Sequence, residues 1–103
     1  MIARLHTPQE AANWLQARVS GSLTTDSRDV KAGDGFIAWP GAATDSRQYV
    51  DTALKAGASA CLVEMVGATD FAFADVNIAA YEGLKFAAAP IAAAYYEIGR
   101  AHV

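Results

Sequence analysis

The chain has 103 residues, which is room for one domain with one hydrophobic core. Hydrophobic residues make up 53% and charged residues 18% of it, so the composition excludes an intrinsically disordered chain. The formal net charge of −3 argues against sequence-independent nucleic-acid binding, which needs a basic surface. No apolar run approaches the roughly 20 residues of a membrane span. We therefore expect a cytoplasmic domain, with neither a nucleic acid nor a membrane among its partners.

The first predicted element is a helix that starts at Thr7. This threonine is a good N-cap, Pro8 fits the first helical position, and Glu10 can complete a capping box. Apolar residues then recur at helical spacing, which gives the helix one buried face. Gly21 ends the helical region, and residues 22–25 are typical of a short strand.

Two copies of the tripeptide Asp-Ser-Arg, at residues 26–28 and 45–47, flank the next strand. Residues 36–39 are apolar on both faces, which predicts a central buried strand, and residues 40–44 form a loop of small residues. Each polar cluster therefore follows a strand, where open α/β sheets bind ligands. Hydroxyl, guanidinium and free backbone N–H groups suit a phosphorylated ligand. Because the flanks of the two tripeptides differ, we interpret the repeat as coincidence.

The chain continues with a predicted helix over about residues 47–56, which should bury Tyr49 with the aliphatic residues that follow it. Residues 60–65 form an apolar run that predicts another buried strand. Cys61 lies in this run, so we interpret it as a small buried hydrophobe rather than a reactive thiol. As the only cysteine, it excludes an internal disulfide and a thiolate metal site.

The last third of the chain predicts a strand over residues 76–80 and an alanine-rich helix over residues 82–96. Phe71 and Phe73 can add a short edge strand before them. Pro90 should kink or split the last helix, because it removes a backbone donor. The predicted fold class is α/β, with a mixed, partly parallel sheet of four or five strands and helices packed on it.

Several kinds of reactive site are missing from the sequence. It contains no G-x-x-x-x-G-K-[ST] phosphate loop, no G-x-G-x-x-G after a strand and no G-x-S-x-G elbow. His6 and His102 have no partner at metal-ligand spacing. The carboxylates Asp26, Asp34 and Asp45 have ordinary roles in turns and caps. We therefore predict a binding module with no catalytic residue and no metal ligand.

A spaced series of residues resembles the N-terminal domain of the Mur ligases. The nearest branch adds the third amino acid, usually meso-diaminopimelate or lysine, to UDP-N-acetylmuramoyl-L-alanyl-D-glutamate. The similarity covers most of the chain from Leu23 onward. The residues that carry it are Asp26, Ser27, Arg28, Val30, Gly33, Asp34, Phe36, Ala38, Gly41, Asp45, Arg47, Ala56, Gly57 and Ala58.

This resemblance implies that the domain binds the UDP part of the substrate. Ser27 matches a serine that contacts the UDP-sugar, and Thr25 stands where an apolar residue contacts the nucleotide. Residues 42–44 match a loop that lies along the ligand. The candidate substrate-binding residues are Thr25, Ser27, Arg28, Gly41, Ala42, Ala43, Thr44, Asp45 and Arg47.

Two positions depart from the family pattern. Ser46 stands where the family has glycine, and the alanines at residues 42–43 offer only backbone donors. The arginines Arg28 and Arg47 also have a second interpretation, as surface residues paired with Asp26 and Asp45.

The resemblance further implies that residues 1–96 form a UDP-sugar-binding N-terminal domain. The central ATP-binding domain and the C-terminal domain would then be absent, and the fragment would not be catalytic by itself. It would need no cofactor, whereas the parent enzyme would use ATP and Mg. Its partners would be the UDP-N-acetylmuramoyl peptide and the missing central domain. Residues 97–103 do not resemble the family, and we hypothesise that they are an artefact of gene assembly; an ordinary frayed terminus is the alternative.

Two other function classes stay open at this point. One is the equivalent domain of the ligase that adds D-alanyl-D-alanine. The other is a stand-alone interaction module, in which the last helix is a partner surface. Because Phe86, Ile91, Tyr95 and Tyr96 would give that helix much apolar surface, we also expect the isolated chain to self-associate.

Overall fold

The computed structural model describes residues 2–100, which form a five-stranded sheet in the order β1-β5-β4-β3-β2. All four neighbouring strand pairs are parallel. The strands are β1 (Ala3–Leu5), β2 (Leu23–Thr24), β3 (Gly35–Ala38), β4 (Ala60–Glu64) and β5 (Ile78–Tyr81). The helices are α1 (Pro8–Gln16), α2 (Val50–Lys55) and α3 (Leu84–Arg100).

The predicted α/β class, with helices packed on a sheet of four or five strands, is confirmed. The sheet is parallel throughout, so the mixed character that we expected is not found. Strand β1 was not predicted, because it is only three residues long and has no β-branched residue. This strand forms only because β5 provides a parallel partner, with Ala3 opposite Ala79.

Two hydrophobic clusters lie on opposite faces of the sheet. Ile37 and Leu62 point toward α1 and α3, whereas their neighbours Phe36 and Cys61 point toward α2. Alternate residues of one strand therefore pack against helices on opposite faces of the sheet, so both faces of the central strands are apolar and their sequences are continuous apolar runs. Cys61 is fully buried as predicted, and burial raises the pKa of its thiol to about 12.

The start of α1 agrees with the predicted capping box. The Thr7 hydroxyl accepts a hydrogen bond from the Glu10 backbone N–H at 3.1 Å, and Pro8 occupies the first turn. The Glu10 carboxylate accepts in turn from the backbone N–H of His6. These contacts satisfy N–H groups that have no partner within the helix.

The predicted helix over residues 47–56 divides into two parts. A 3₁₀ turn, Ser46–Tyr49, precedes α2. Our expectation that Tyr49 is buried was wrong, since the residue is 40% exposed at the end of this turn. The predicted edge strand at Phe71 and Phe73 was also wrong. That segment contains a 3₁₀ turn, Ala68–Phe71, and the two rings stack on each other with centroids 5.3 Å apart.

Helix α3 runs without interruption past Pro90, so the predicted split does not occur. Pro90 lies on the exposed side, where water can replace the missing donor. Residues 97–100 of the predicted non-family tail continue the helix, and the rest of that tail lies outside the described residues. Within the described part of the chain, no helix has the length and apolarity needed to cross a bilayer.

A tyrosine pair near the end of α3 fixes the edge strand β2. The Tyr95 hydroxyl donates to the Gly21 carbonyl oxygen at 2.8 Å, and the Tyr96 hydroxyl accepts from the Leu23 N–H at 3.0 Å. The second contact satisfies an N–H on the open edge of the sheet, which would otherwise invite pairing with another chain. The tyrosines thereby set the position of the segment that follows β2.

Candidate functional site

A cleft of ≈ 520 Å³ lies where the chain leaves β2 and β3. The two strands are parallel neighbours, with Thr24 opposite Phe36, so their carboxyl ends meet at one edge of the sheet. The two polar segments that follow them form the walls of the cleft, as the strand order predicts. The lining residues are Thr25, Asp26, Ser27, Arg28, Phe36, Thr44, Ser46 and Tyr49.

The two Asp-Ser-Arg tripeptides fold in the same way. In each, the aspartate caps a 3₁₀ turn and accepts from the backbone N–H of the arginine two residues later, at 2.9 Å for Asp26 and 3.0 Å for Asp45. Each arginine also pairs with the aspartate through its Nη2, in both cases at 2.7 Å. The repeat, which we interpreted as coincidence, therefore builds one local structure twice, because an aspartate side chain readily caps such a turn.

The two arginines differ in burial. The side chain of Arg28 is 87% exposed at the cleft, whereas that of Arg47 is 5% exposed. Arg47 Nη1 donates to the carbonyl oxygens of Glu64 and Val66, at 2.8 and 2.7 Å, and its guanidinium lies 4.9 Å from the centroid of the Phe71 ring. The donors of Arg47 are thus directed at the protein, away from the cleft.

The wall after β3 is a tight loop over residues 40–45. The Gly41 N–H donates to the Thr44 carbonyl oxygen at 2.8 Å. Ser46, a departure from the family pattern, holds the base of the loop: its hydroxyl donates to the Trp39 carbonyl oxygen at 2.9 Å and accepts from the Trp39 N–H at 3.1 Å. A Cβ on Gly41 would lie 3.1 Å from the Thr44 carbonyl oxygen, a tight contact that the loop could relieve only by shifting.

Charges in the cleft largely compensate each other. Hydrogen bonds from the Arg28 side chain and N–H lower the pKa of Asp26 to about 2, and the same pairing raises the pKa of Arg28. Around this pair the lining contains the hydroxyl-bearing residues Thr25, Ser27, Thr44 and Tyr49, while the Ser46 hydroxyl is bonded to Trp39. Such a surface suits hydrogen bonding to a neutral polar ligand, with one exposed guanidinium available for an anionic group.

The candidate residues fall into three groups. Thr25, Ser27, Arg28 and Thr44 line the cleft. The loop residues Gly41, Ala42 and Ala43 are exposed beside it but do not line it. The remaining two, Asp45 and Arg47, pair with each other and face the far side of the loop.

Four residues that line the cleft were not among the predicted ligand contacts: Asp26, Phe36, Ser46 and Tyr49. Asp26 had been assigned to a turn or cap, Phe36 to the core and Tyr49 to a buried helix face, and Ser46 was noted only as a departure from the family. The repeated tripeptide was the available signal for Ser46, because it places a second hydroxyl at the position that Ser27 occupies in the first copy.

The other buried carboxylates have structural partners. Glu64 accepts from the backbone N–H groups of Gly83 and Leu84, at 3.1 and 2.9 Å, and so caps α3. Asp34 accepts from the N–H groups of Ser22 and Lys31. Among residues 2–100, no three His, Cys, Asp or Glu side chains are grouped to hold a metal ion.

Curated relatives match most of the chain. A UDP-N-acetylmuramoyl-L-alanyl-D-glutamate--2,6-diaminopimelate ligase of Acidovorax sp. (strain JS42) is 55% identical over 92 residues, which are 89% of this chain and 18% of that ligase. A ligase of the same name from Janthinobacterium sp. (strain Marseille) is 42% identical, over 82% of this chain and 17% of the ligase. One from Pseudomonas syringae pv. tomato is 40% identical, over 72% and 15% respectively.

No protein-family model matches the chain. The chain spans less than a fifth of the length of these curated relatives, since the covered share is 18% at most. The alignment with the Acidovorax ligase nevertheless extends over 92 of the 103 residues of this chain. The chain therefore belongs to the Mur ligase family.

Proposed function

We propose that this chain binds the UDP part of UDP-N-acetylmuramoyl-L-alanyl-D-glutamate on behalf of a ligase that adds 2,6-diaminopimelate, the reaction that the names of its relatives describe. The observation that carries the proposal is the hydroxyl-lined cleft at the carboxyl edge of β2 and β3. The relatives' names do not favour the D-alanyl-D-alanine ligase or the stand-alone module.

Each wall of the cleft has its own role in this proposal. From the wall that follows β2, the hydroxyl groups of Ser27 and Thr25 donate hydrogen bonds to the nucleotide. From the wall that follows β3, the backbone N–H groups of the exposed residues Ala42 and Ala43 donate to it. Arg28 reaches the diphosphate after exchanging its partner Asp26 for a phosphate oxygen. The exchange leaves the Asp26 carboxylate, whose side chain is 37% exposed, to water and to the Arg28 backbone N–H.

The chemistry of ligation belongs to the rest of the longer protein in this proposal. The sequence has no G-x-x-x-x-G-K-[ST] phosphate loop, so it offers no standard site for ATP. Residues 1–96 would form the substrate-holding domain, and a central ATP-binding domain would be its partner. The cytoplasmic location expected from the sequence stays a prediction.

The test is a titration of UDP-N-acetylmuramoyl-L-alanyl-D-glutamate into the chain and into two cleft variants. Ser27→Ala should weaken binding by about 0.5–1.5 kcal/mol, or up to about 3 kcal/mol if it leaves a phosphate oxygen unpaired. Gly41→Val should weaken it more, because its side chain would push into the Thr44 carbonyl and distort the loop. Ser20→Ala, an exposed serine that does not line the cleft, is the matched control.

Either of two results would contradict the proposed function. One is a folded parent chain that does not bind the ligand. The other is a pair of folded variants, Ser27→Ala and Gly41→Val, that both bind like the parent.

A further inference from the structure

We infer that Arg47 is a positioning residue for the cleft: it holds the wall over residues 41–46 in the shape that binds ligand without contacting ligand itself. This inference rests on the proposed function for what the cleft binds. The role of Arg47 as a loop anchor rests on the contacts of the side chain and can be measured without any ligand.

Arg47 joins its own loop to the end of β4 and to the turn that follows it, 17 or more residues later in the chain. Its Nε and Nη2 bind the carboxylate of Asp45, in the cleft wall, at 3.0 and 2.7 Å. Its Nη1 reaches the carbonyl oxygens of Glu64 and Val66, beyond the end of β4, at 2.8 and 2.7 Å. Its guanidinium also lies over the ring of Phe71, in the following 3₁₀ turn.

The loop has few other ties. Within the described part of the chain, residues 41–46 make hydrogen bonds among themselves, with Trp39 at the end of β3, with Gln48 and with Arg47. The bonds to Trp39 tie the base of the loop to the end of β3, and Gln48 lies in the turn that follows the loop. The contact between Asp45 and Arg47 is the route by which the loop is fixed to β4.

The twin tripeptide shows that the local turn alone does not require this burial. Arg28 makes the same fork with Asp26, yet 87% of its side chain is exposed. Arg47 differs by its two carbonyl acceptors and its aromatic neighbour. Removing a buried guanidinium leaves those acceptors and a carboxylate without partners, which costs more than the loss of an exposed pair.

The anchor also relates one cleft wall to the other. Arg47 binds the backbone of Glu64, whose carboxylate caps α3 at Gly83 and Leu84. The far end of the same helix holds β2 through Tyr96, and β2 leads into the wall with Ser27. Arg47 is therefore connected through Glu64 and α3 to β2, which leads into the other wall.

The experiment compares Arg47→Lys with the parent chain and with Arg18→Lys. Lysine keeps the charge but cannot bind a carboxylate and two carbonyl oxygens as a planar fork. Arg18, which does not line the cleft, is a matched control because it makes the same kinds of contact. Its Nη1 donates to the Trp14 carbonyl oxygen at 3.2 Å, and its guanidinium lies 4.4 Å from the centroid of the Trp14 ring. The readouts are UDP affinity and the exchange rate of the Gly41 amide without ligand.

We expect Arg47→Lys to weaken UDP binding by about tenfold or more and to accelerate exchange of the Gly41 amide, since hydrogen bonds to charged groups are among the stronger ones. Arg18→Lys should change neither readout. A general structural role for Arg47 would lower the stability of the chain to urea while leaving the affinity and the Gly41 exchange of the folded chain unchanged.

Unchanged Gly41 exchange in folded Arg47→Lys would overturn the inference. Weaker UDP binding with unchanged exchange would also overturn it, because that result assigns Arg47 a direct contact. If the parent chain does not bind UDP, the proposed function fails, and the exchange measurement alone decides the anchor. If Arg47→Lys does not fold, Asp45→Asn cuts the same tie from the loop side, and unchanged Gly41 exchange in that variant contradicts the anchor.

Discussion

Two arginines in identical tripeptides end in different environments, although their local turns agree. Arg28 stays at the surface, where its side chain forms hydrogen bonds with Asp26 and has no buried carbonyl acceptors such as Arg47 has. Arg47 is buried because the end of β4 and the ring of Phe71 surround it. At the scale of a residue, the aspartate two positions earlier fixes the turn, and more distant segments decide whether the arginine is exposed.

Asp34 offers a test of buried hydrogen bonding at the same scale. Its two carboxylate oxygens accept from the N–H groups of Ser22 and Lys31 at 3.0 and 2.9 Å, and these bonds hold its pKa below the ordinary 3.8. Asp34→Asn should lower the free energy of unfolding by about 1–3 kcal/mol at pH 7, because one N–H loses its acceptor. Urea unfolding measures this, with the exposed Asp70→Asn as control.

The pH dependence of this effect has a defined sign. A carboxylate whose pKa is lowered in the folded state stabilises the fold above the unfolded pKa, and that stabilisation is lost as the pH falls through the folded pKa. The difference between the parent and Asp34→Asn should therefore be full at pH 7 and shrink below the ordinary pKa of 3.8. A difference that grows toward acid pH would contradict this account.

At the scale of an element, α3 is a 17-residue helix that contains Pro90. Packing of its buried face, which includes Ile91 and Tyr95, maintains the helix despite the missing donor. Pro90→Ala should restore that donor and raise the free energy of unfolding by up to about 3 kcal/mol. The measurement is urea unfolding. The control is Ala89→Gly, at an exposed position one residue earlier, which should lower the free energy of unfolding by about 1 kcal/mol. A lower free energy of unfolding in Pro90→Ala would contradict the prediction and show that the proline ring packs favourably.

At the scale of the whole molecule, the outer face of α3 carries apolar surface. Phe86 is 85% exposed and Tyr96 is 44% exposed, whereas Ile91 and Tyr95, which we had counted as exposed, belong to the core. The expected surface is thus smaller than the sequence suggested but still centred on a large aromatic residue.

We expect this face to cause weak self-association of the chain at high concentration. Phe86→Ser should reduce the self-association, because the substitution removes the most exposed aromatic side chain of α3. Sedimentation velocity over a range of concentrations measures the effect, with Val76→Ser, at an 80% exposed valine outside α3, as the control. A clean monomer for the parent chain at the highest concentration would contradict the prediction.

The features that the sequence alone determined depend on interactions between residues close together in the chain. The cap at Thr7 depends on atoms within a few residues. The buried strands around Phe36 and Leu62 follow from unbroken apolar runs. The two polar walls meet at one edge of the sheet because β2 and β3 are parallel neighbours. The α/β class and the membership of Ser27 and Thr44 in one cleft could therefore be predicted without coordinates.

Contacts between distant segments decided the rest. The strand β1 exists because β5, more than 70 residues later, pairs with it at Ala3 and Ala79. The burial of Arg47 depends on carbonyl oxygens at Glu64 and Val66, and no local pattern encodes them. Sequence patterns report on neighbours along the chain, whereas the solvation of a side chain depends on whatever the tertiary fold places beside it.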